Sequence, residues 1–131
     1  MHEFHAWVGL AESPLDDDDE RFVAGLAEVE RIVADSVWHD ATFAVKCLNG
    51  SYFFTATGLV NRRRAEGERL DLLLSVIAEK LPGSWGLVYE RDDEMPEPHG
   101  PNAFRVRVLA RGLITERVDH FLSPCMPVIE D

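Results

Sequence analysis

The stretch ATFAVKCLNGSYFFTATGLV, residues 41–60, limits the fold more than any other part of the chain. Two runs rich in aromatic and β-branched residues flank Asn49-Gly50, the pair that most readily takes the positive φ angles of a type I′ turn. A hairpin here commits the middle of the chain to antiparallel pairing. Such a sheet needs one face covered, so the segments on either side must supply the cover.

They have the right periodicities. HEFHAWVGLAE alternates with period two, with Phe4, Ala6, Val8 and Leu10 on one face and Glu3, His5 and Trp7 on the other. SPLDDDDE reads as a turn into a helix, since Pro14 fixes φ and carboxylates suit the positive end of the helix dipole. The spacing of Phe22, Leu26, Val29 and Val33 predicts a helix over about 17–36 with one apolar stripe. Beyond the hairpin, the polar interval NRRRAEGE leads to a second helix over about 68–81, carried by Leu70, Leu73, Leu74, Ile77 and Leu81 and stopped by Pro82-Gly83. SWGLVYER is a strand with Trp85, Leu87 and Tyr89 on one side. AFRVRVLAR is another, with Phe104, Val106, Val108 and Ala110 expected inward and Arg105, Arg107 and Arg111 outward. A short edge strand is expected next, before a tail with two prolines.

The order β-α-β-β-α-β predicts an α+β fold: a ferredoxin-like antiparallel sheet with two helices on one face, extended by one or two C-terminal strands. No repeat, low-complexity tract or linker divides residues 1–131, so one domain is expected. The connection over 92–103 is longer than a plain hairpin needs.

Charge excludes several functions. Thirteen Lys and Arg against 24 Asp and Glu leave a net charge of -11. That field repels nucleic acid and anionic membranes, and it favours fast capture of a basic partner. No basic and apolar leader precedes the first strand, and no apolar run reaches membrane-spanning length, so a cytoplasmic protein is expected. Cys47 and Cys125 lie far apart and read as buried free thiols.

Candidate sites are few. In RDDEMPEPHGPN, Asp92, Asp93 and Glu94 arrive together. The spacing is not that of a calcium loop, although Asp92, Glu94, His99 and Asn102 are all oxygen or nitrogen donors. Three consecutive carboxylates on extended backbone point alternately, which argues against a shared metal or an acid–base pair and for presentation to a partner or to solvent. The run Asp16, Asp17, Asp18, Asp19 and Glu20 exceeds what a helix N-terminus needs, and the surplus suits attraction of a basic surface. His2 and His5 should fall on opposite faces of their strand, which rules against a common metal. Nucleophile, phosphate-loop and zinc motifs are absent, and Cys125 in SPCMP would serve as a nucleophile only if a histidine met it in space. Arg105 and Arg107 either line a cleft for an anionic ligand or pair with the chain's own acids. Trp7 and Trp85 are core aromatics by default, or anchors for a partner.

NGSYFFTATGLVNRR at 49–63, LPGSWGLVYERDDE at 81–94, NAFRVRVLARG at 102–112 and FLSPCMPVIED at 121–131 resemble the immunity protein 7 family, and HEFHAWVGLAES is similar to that family's opening. The resemblance spans nearly the whole chain and is weakest in the first helix. It implies a cytoplasmic antitoxin of a bacterial polymorphic toxin system that binds a toxin domain, often a nuclease, and covers its cleft. The expected partner is therefore a cognate toxin domain, with no cofactor, no nucleic acid and no membrane. Asp16–Glu20 and Asp92–Glu94 would steer the toxin, and Trp7, Trp85 and Tyr89 would anchor it. The competing reading is a small-ligand or enzymatic ferredoxin-like domain with a cleft lined by Arg105 and Arg107. Monomer and homodimer both remain open.

Overall fold

The computed structural model describes residues 1–13, 19–96 and 98–126. Eight elements follow in order: β1 His2–Leu10, α1 Asp19–Ala34, β2 Ala41–Leu48, β3 Ser51–Val60, α2 Ala65–Lys80, β4 Trp85–Asp92, β5 Arg105–Ala110 and β6 Leu113–Val118. The six strands form one open antiparallel sheet ordered β2-β3-β1-β4-β5-β6. The fold is α+β, with both helices packed on the same face of the sheet.

The hairpin forms where the sequence places it. Asn49 and Gly50 take φ of 51° and 81°, and Leu48 pairs with Ser51 across the turn. Alternation in β1 also holds: Phe4, Ala6, Val8 and Leu10 are buried, whereas His5 and Trp7 are exposed. The buried residues meet Leu26, Val29 and Ile32 of α1 and Leu70, Leu73, Leu74 and Ile77 of α2 in one core. Phe43 and Phe54 from the hairpin join it, and Phe43 also contacts Phe4 and Trp38. Arg69 ties the helices together, donating to Ile32 O at 3.3 Å and Ser36 Oγ at 3.0 Å beyond the last turn of α1.

Three expectations need correction. Helix α2 begins at Ala65 rather than at about 68, because residues 65–68 (Ala-Glu-Gly-Glu) carry no large apolar side chain to mark the helical period, although Gly67 is buried. Cys47 is exposed and Cys125 half-buried. Cys47 is on the helix side of β2, but it sits at the hairpin end of an edge strand, beside Tyr52, and is left exposed there. The largest correction concerns β5. Its register pairs Val88 with Arg107 and Glu90 with Arg105, and both β4 residues are 1% exposed on the helix face. Arg105 and Arg107 therefore point under the helices. Val106 and the preceding Phe104 are buried, as alternation predicted, but against the opposite face. There the C-terminal turn folds back: Ser123 Oγ accepts from Phe104 N–H at 2.8 Å, and Asn102 bonds twice to the Met126 backbone.

Candidate partner-binding surface

Beneath α2 lies a network of buried charge. Glu90 accepts from His2 Nε2 at 2.6 Å and from Arg105, with Arg63 and Arg107 nitrogens at 3.6 Å. Asp71 of α2 accepts from Arg63 and, at 2.7 Å, from Arg107. Burial holds the His2 imidazole below its ordinary value. Asp92 pulls the other way, while the three guanidinium groups of Arg63, Arg105 and Arg107 add to the lowering. Glu90 has its charge matched by arginines, so a neutral His2 donates to it without needing to ionise. Burial alone would raise the Asp71 carboxyl, but hydrogen bonds from Arg107 and Arg63 outweigh it and hold Asp71 below the usual carboxylate range. The arginines that might have lined an anion cleft are thus paired with the chain's own acids. His2 and His5 fall on opposite faces, at 0% and 48% side-chain exposure. Among the described residues, no group of three or more His, Cys, Asp or Glu converges as metal ligands would.

The acids of the 92–94 loop separate. Asp92 is buried and turns inward, where its carboxylate accepts from Glu94 N–H at 3.0 Å. Asp93 is exposed and lies 2.6 Å from the Met1 ammonium, whose hydrogen bond lowers its carboxyl. Glu94 is exposed, 3.8 Å from Arg62. Of the run 16–20, Asp16, Asp17 and Asp18 lie outside the described residues, Asp19 opens α1, and Glu20 is exposed.

Among the described residues, no helix lies over the other face of the sheet. One part, around Tyr89, is closed by the C-terminal turn: Tyr89 stacks edge-on against Phe104 at 5.6 Å and bonds to Asp119. Asp119 is itself 3% exposed and accepts from Phe121 N–H, Leu122 N–H and the Ser123 hydroxyl. Tyr89 therefore anchors the protein's own turn. The part around Trp85 stays open. Trp7 and Trp85 are 47% and 51% exposed, and their rings meet in a T-shape at 5.7 Å. Phe53 meets Trp85 at 6.4 Å, nearly perpendicular. Gly9 makes this possible, since a Cβ there would lie 2.7 Å from the Trp85 ring. The indole rests across β1 and stands between two clefts. One, of about 260 Å³, is bordered by Phe22, Tyr52 and Phe53; the other, of about 500 Å³, by Pro82, Ala110 and Arg111.

Position sorts the expected site residues. Trp85 opens β4 and Asp92 closes it, so the aromatic cluster and the 92–94 acids lie about 23 Å apart along the strand. The β1–α1 connection leaves from the Trp85 end: Ser13 backbone packs on Gly83, and Ser84 Oγ bonds to both Ala11 N–H and Ala11 O. The structure thus joins Trp7 and Trp85 to the start of the segment that carries Asp16–Glu20, and leaves Asp93 and Glu94 at the far end.

The family model of immunity protein 7 matches residues 1–131. The chain belongs to the immunity protein 7 family. Membership makes this an immunity protein against a toxin, and implies that it binds a cognate toxin protein. No curated protein and no solved structure matches the chain. No helix among the described residues is long and apolar enough to cross a membrane.

Sequence reasoning missed Phe53, Gly9 and Arg111 at this surface. Phe53 lies between Tyr52 and Phe54, where aromatic neighbours hide which face is which. Gly9 acts on a residue 76 positions away in sequence, a contact only the β1–β4 register creates. Arg111-Gly112 between two strand-like runs was a legible turn signal.

Proposed function

We propose that this immunity protein neutralises its toxin as a stoichiometric inhibitor in the cytoplasm, by occlusion and without chemistry of its own. The observation that carries the reading is the exposed Trp7–Trp85 pair, backed by the half-buried Phe53, on a sheet face that no helix among the described residues covers. Exposed aromatics held rigidly by their neighbours lose little entropy on binding and dominate interface energetics. Trp7 and Trp85 are the anchors in this reading. Asp16–Glu20 steer a basic toxin domain, of which a nuclease is the best example. Asp93 and Glu94 supply a second, weaker acidic point at the far end, and Tyr89 contributes by holding the C-terminal turn. The scaffold on this reading is a ferredoxin-like unit of β1–β4 and the two helices, with β5 and β6 added at one edge.

Calorimetry of the protein with the toxin-like C-terminal domain encoded beside its gene, at low and high salt, tests this directly. One-to-one binding that weakens as salt rises is the expected result. Absence of binding at both salt concentrations would end the occlusion reading.

A further inference from the structure

Arg111 is out of place on two counts. It occupies the first position of a two-residue turn, with Ala110 paired to Leu113 on either side, and takes φ of 54°. That left-handed conformation suits Asn, Asp or Gly and is costly for a side chain with a Cβ. The turn therefore gives no reason for an arginine. Ion pairing gives none either: in a chain with 24 acids, no carboxylate among the described residues pairs with this guanidinium. By contrast, Arg63, Arg105 and Arg107 each hold one. Non-glycine residues kept in strained backbone concentrate where function retains them.

Its location supplies the function. Arg111 forms one wall of a cleft of about 500 Å³ that Trp85, Pro82 and Ala110 line together with Glu12, Ser13, Gly83 and Ser84. The indole is fixed across Gly9 and half exposed. Tryptophan and arginine are the residue types most enriched at the energetic centres of protein interfaces, and such centres sit in pockets that exclude water on binding. The indole, the Pro82 ring and the Ala110 methyl suit an aliphatic or aromatic side chain. The guanidinium, which forms no ion pair with a carboxylate among the described residues although Glu12 lines the same cleft, suits an acceptor oxygen beside it.

We propose that the Trp85–Arg111 cleft is the centre of the toxin interface, receiving one apolar side chain of the toxin next to a carbonyl or carboxylate oxygen bonded by Arg111. The proposal rests on the immunity reading above and assigns its contact. Acids at 16–20 then set how fast the toxin arrives, and this cleft sets how long it stays.

The test uses the full-length protein and the toxin domain encoded beside it, with dissociation rates and melting temperature measured for each variant. Arg111→Gly relieves the left-handed strain, so its melting temperature should be equal to or above that of the wild type while dissociation quickens at least tenfold. Trp85→Ala should quicken dissociation at least tenfold. Gly9→Ala, which displaces the indole, should follow it in the same direction. The Trp85→Ala/Arg111→Gly double variant should lose less than the product of the two single effects, because both side chains hold one partner residue. Wild-type dissociation rates in Arg111→Gly and Trp85→Ala would overturn the cleft assignment and leave the immunity reading standing. A wild-type protein that does not bind the toxin domain would overturn both.

Discussion

Glu90 shows how far a single residue's setting can depart from its sequence neighbourhood. It stands in YERDDE, a stretch that reads as exposed, yet it is 1% exposed and faces three arginines and a histidine. A buried pair of this kind contributes little net stability over an apolar replacement, but removing one partner leaves the others uncompensated. Glu90→Ala should therefore destabilise the fold by about 3–5 kcal/mol in urea titration. A loss below about 1 kcal/mol would mean that water already neutralises the arginines. The same network gives a pH signature. His2 is held below 6.5 when folded, so the unfolded chain binds the extra proton first as pH falls. Its contribution is lost from about 6.5 downward. Asp71 and Asp119 lie below 3.8 when folded, so theirs is present above that value and lost beneath it. Stability measured against pH should fall in these two stages. A curve flat from pH 6.5 to about 5 would remove the neutral, buried His2 from the account.

At the scale of elements, local rules succeeded wherever one face of an element meets one environment. The β2–β3 hairpin is the clearest case. Gly50 takes φ of 81° and a Cβ there would meet nothing within 4 Å, so Gly50→Ala tests backbone strain alone. A loss of about 1–2 kcal/mol is expected from chemical denaturation, with the register of β2 and β3 unchanged. No loss would show that the turn relaxes to another type. Local rules failed in β5 because both of its faces are covered, one by helices and one by the C-terminal turn. Alternation of Phe104 and Val106 with Arg105 and Arg107 reports that two environments exist. It does not report which of them lies under the helices. Glu90 and Asp71 decided that, since guanidinium groups next to buried carboxylates are far better placed than apolar side chains there.

Across the whole molecule, charge is divided by layer. Among the strand residues on the uncovered face, Glu3 is the one carboxylate, and it is bonded to His5 and Arg91. The remaining acids among the described residues lie on the helices, the loops and the helix side of the sheet. A field built this way acts at long range on a toxin's approach and contributes little once the aromatic face is in contact. Replacing Asp16, Asp17 and Asp18 together by Asn should slow toxin association several-fold at low salt and leave the dissociation rate unchanged, as read by stopped-flow fluorescence. An unchanged association rate would dismiss steering by that run.

The sequence by itself determined the element order, the hairpin, the core faces of β1 and both helices, the acidic field and the family. Each of these depends on neighbours within a few residues or on totals over the chain, which is the information a linear pattern holds. Only the tertiary structure decided that Asp92 turns inward, that Arg105 and Arg107 are consumed by Glu90 and Asp71, and that Trp7 and Trp85 meet over Gly9. It also put Arg111 beside Trp85, and it placed the acids of 92–94 at the opposite end of β4 from the aromatic cluster. These are matters of strand register and of which sheet face a distant segment covers. They are settled by the cost of leaving a buried charge unpaired and the gain from burying an aromatic ring, neither of which has a fixed separation along the chain.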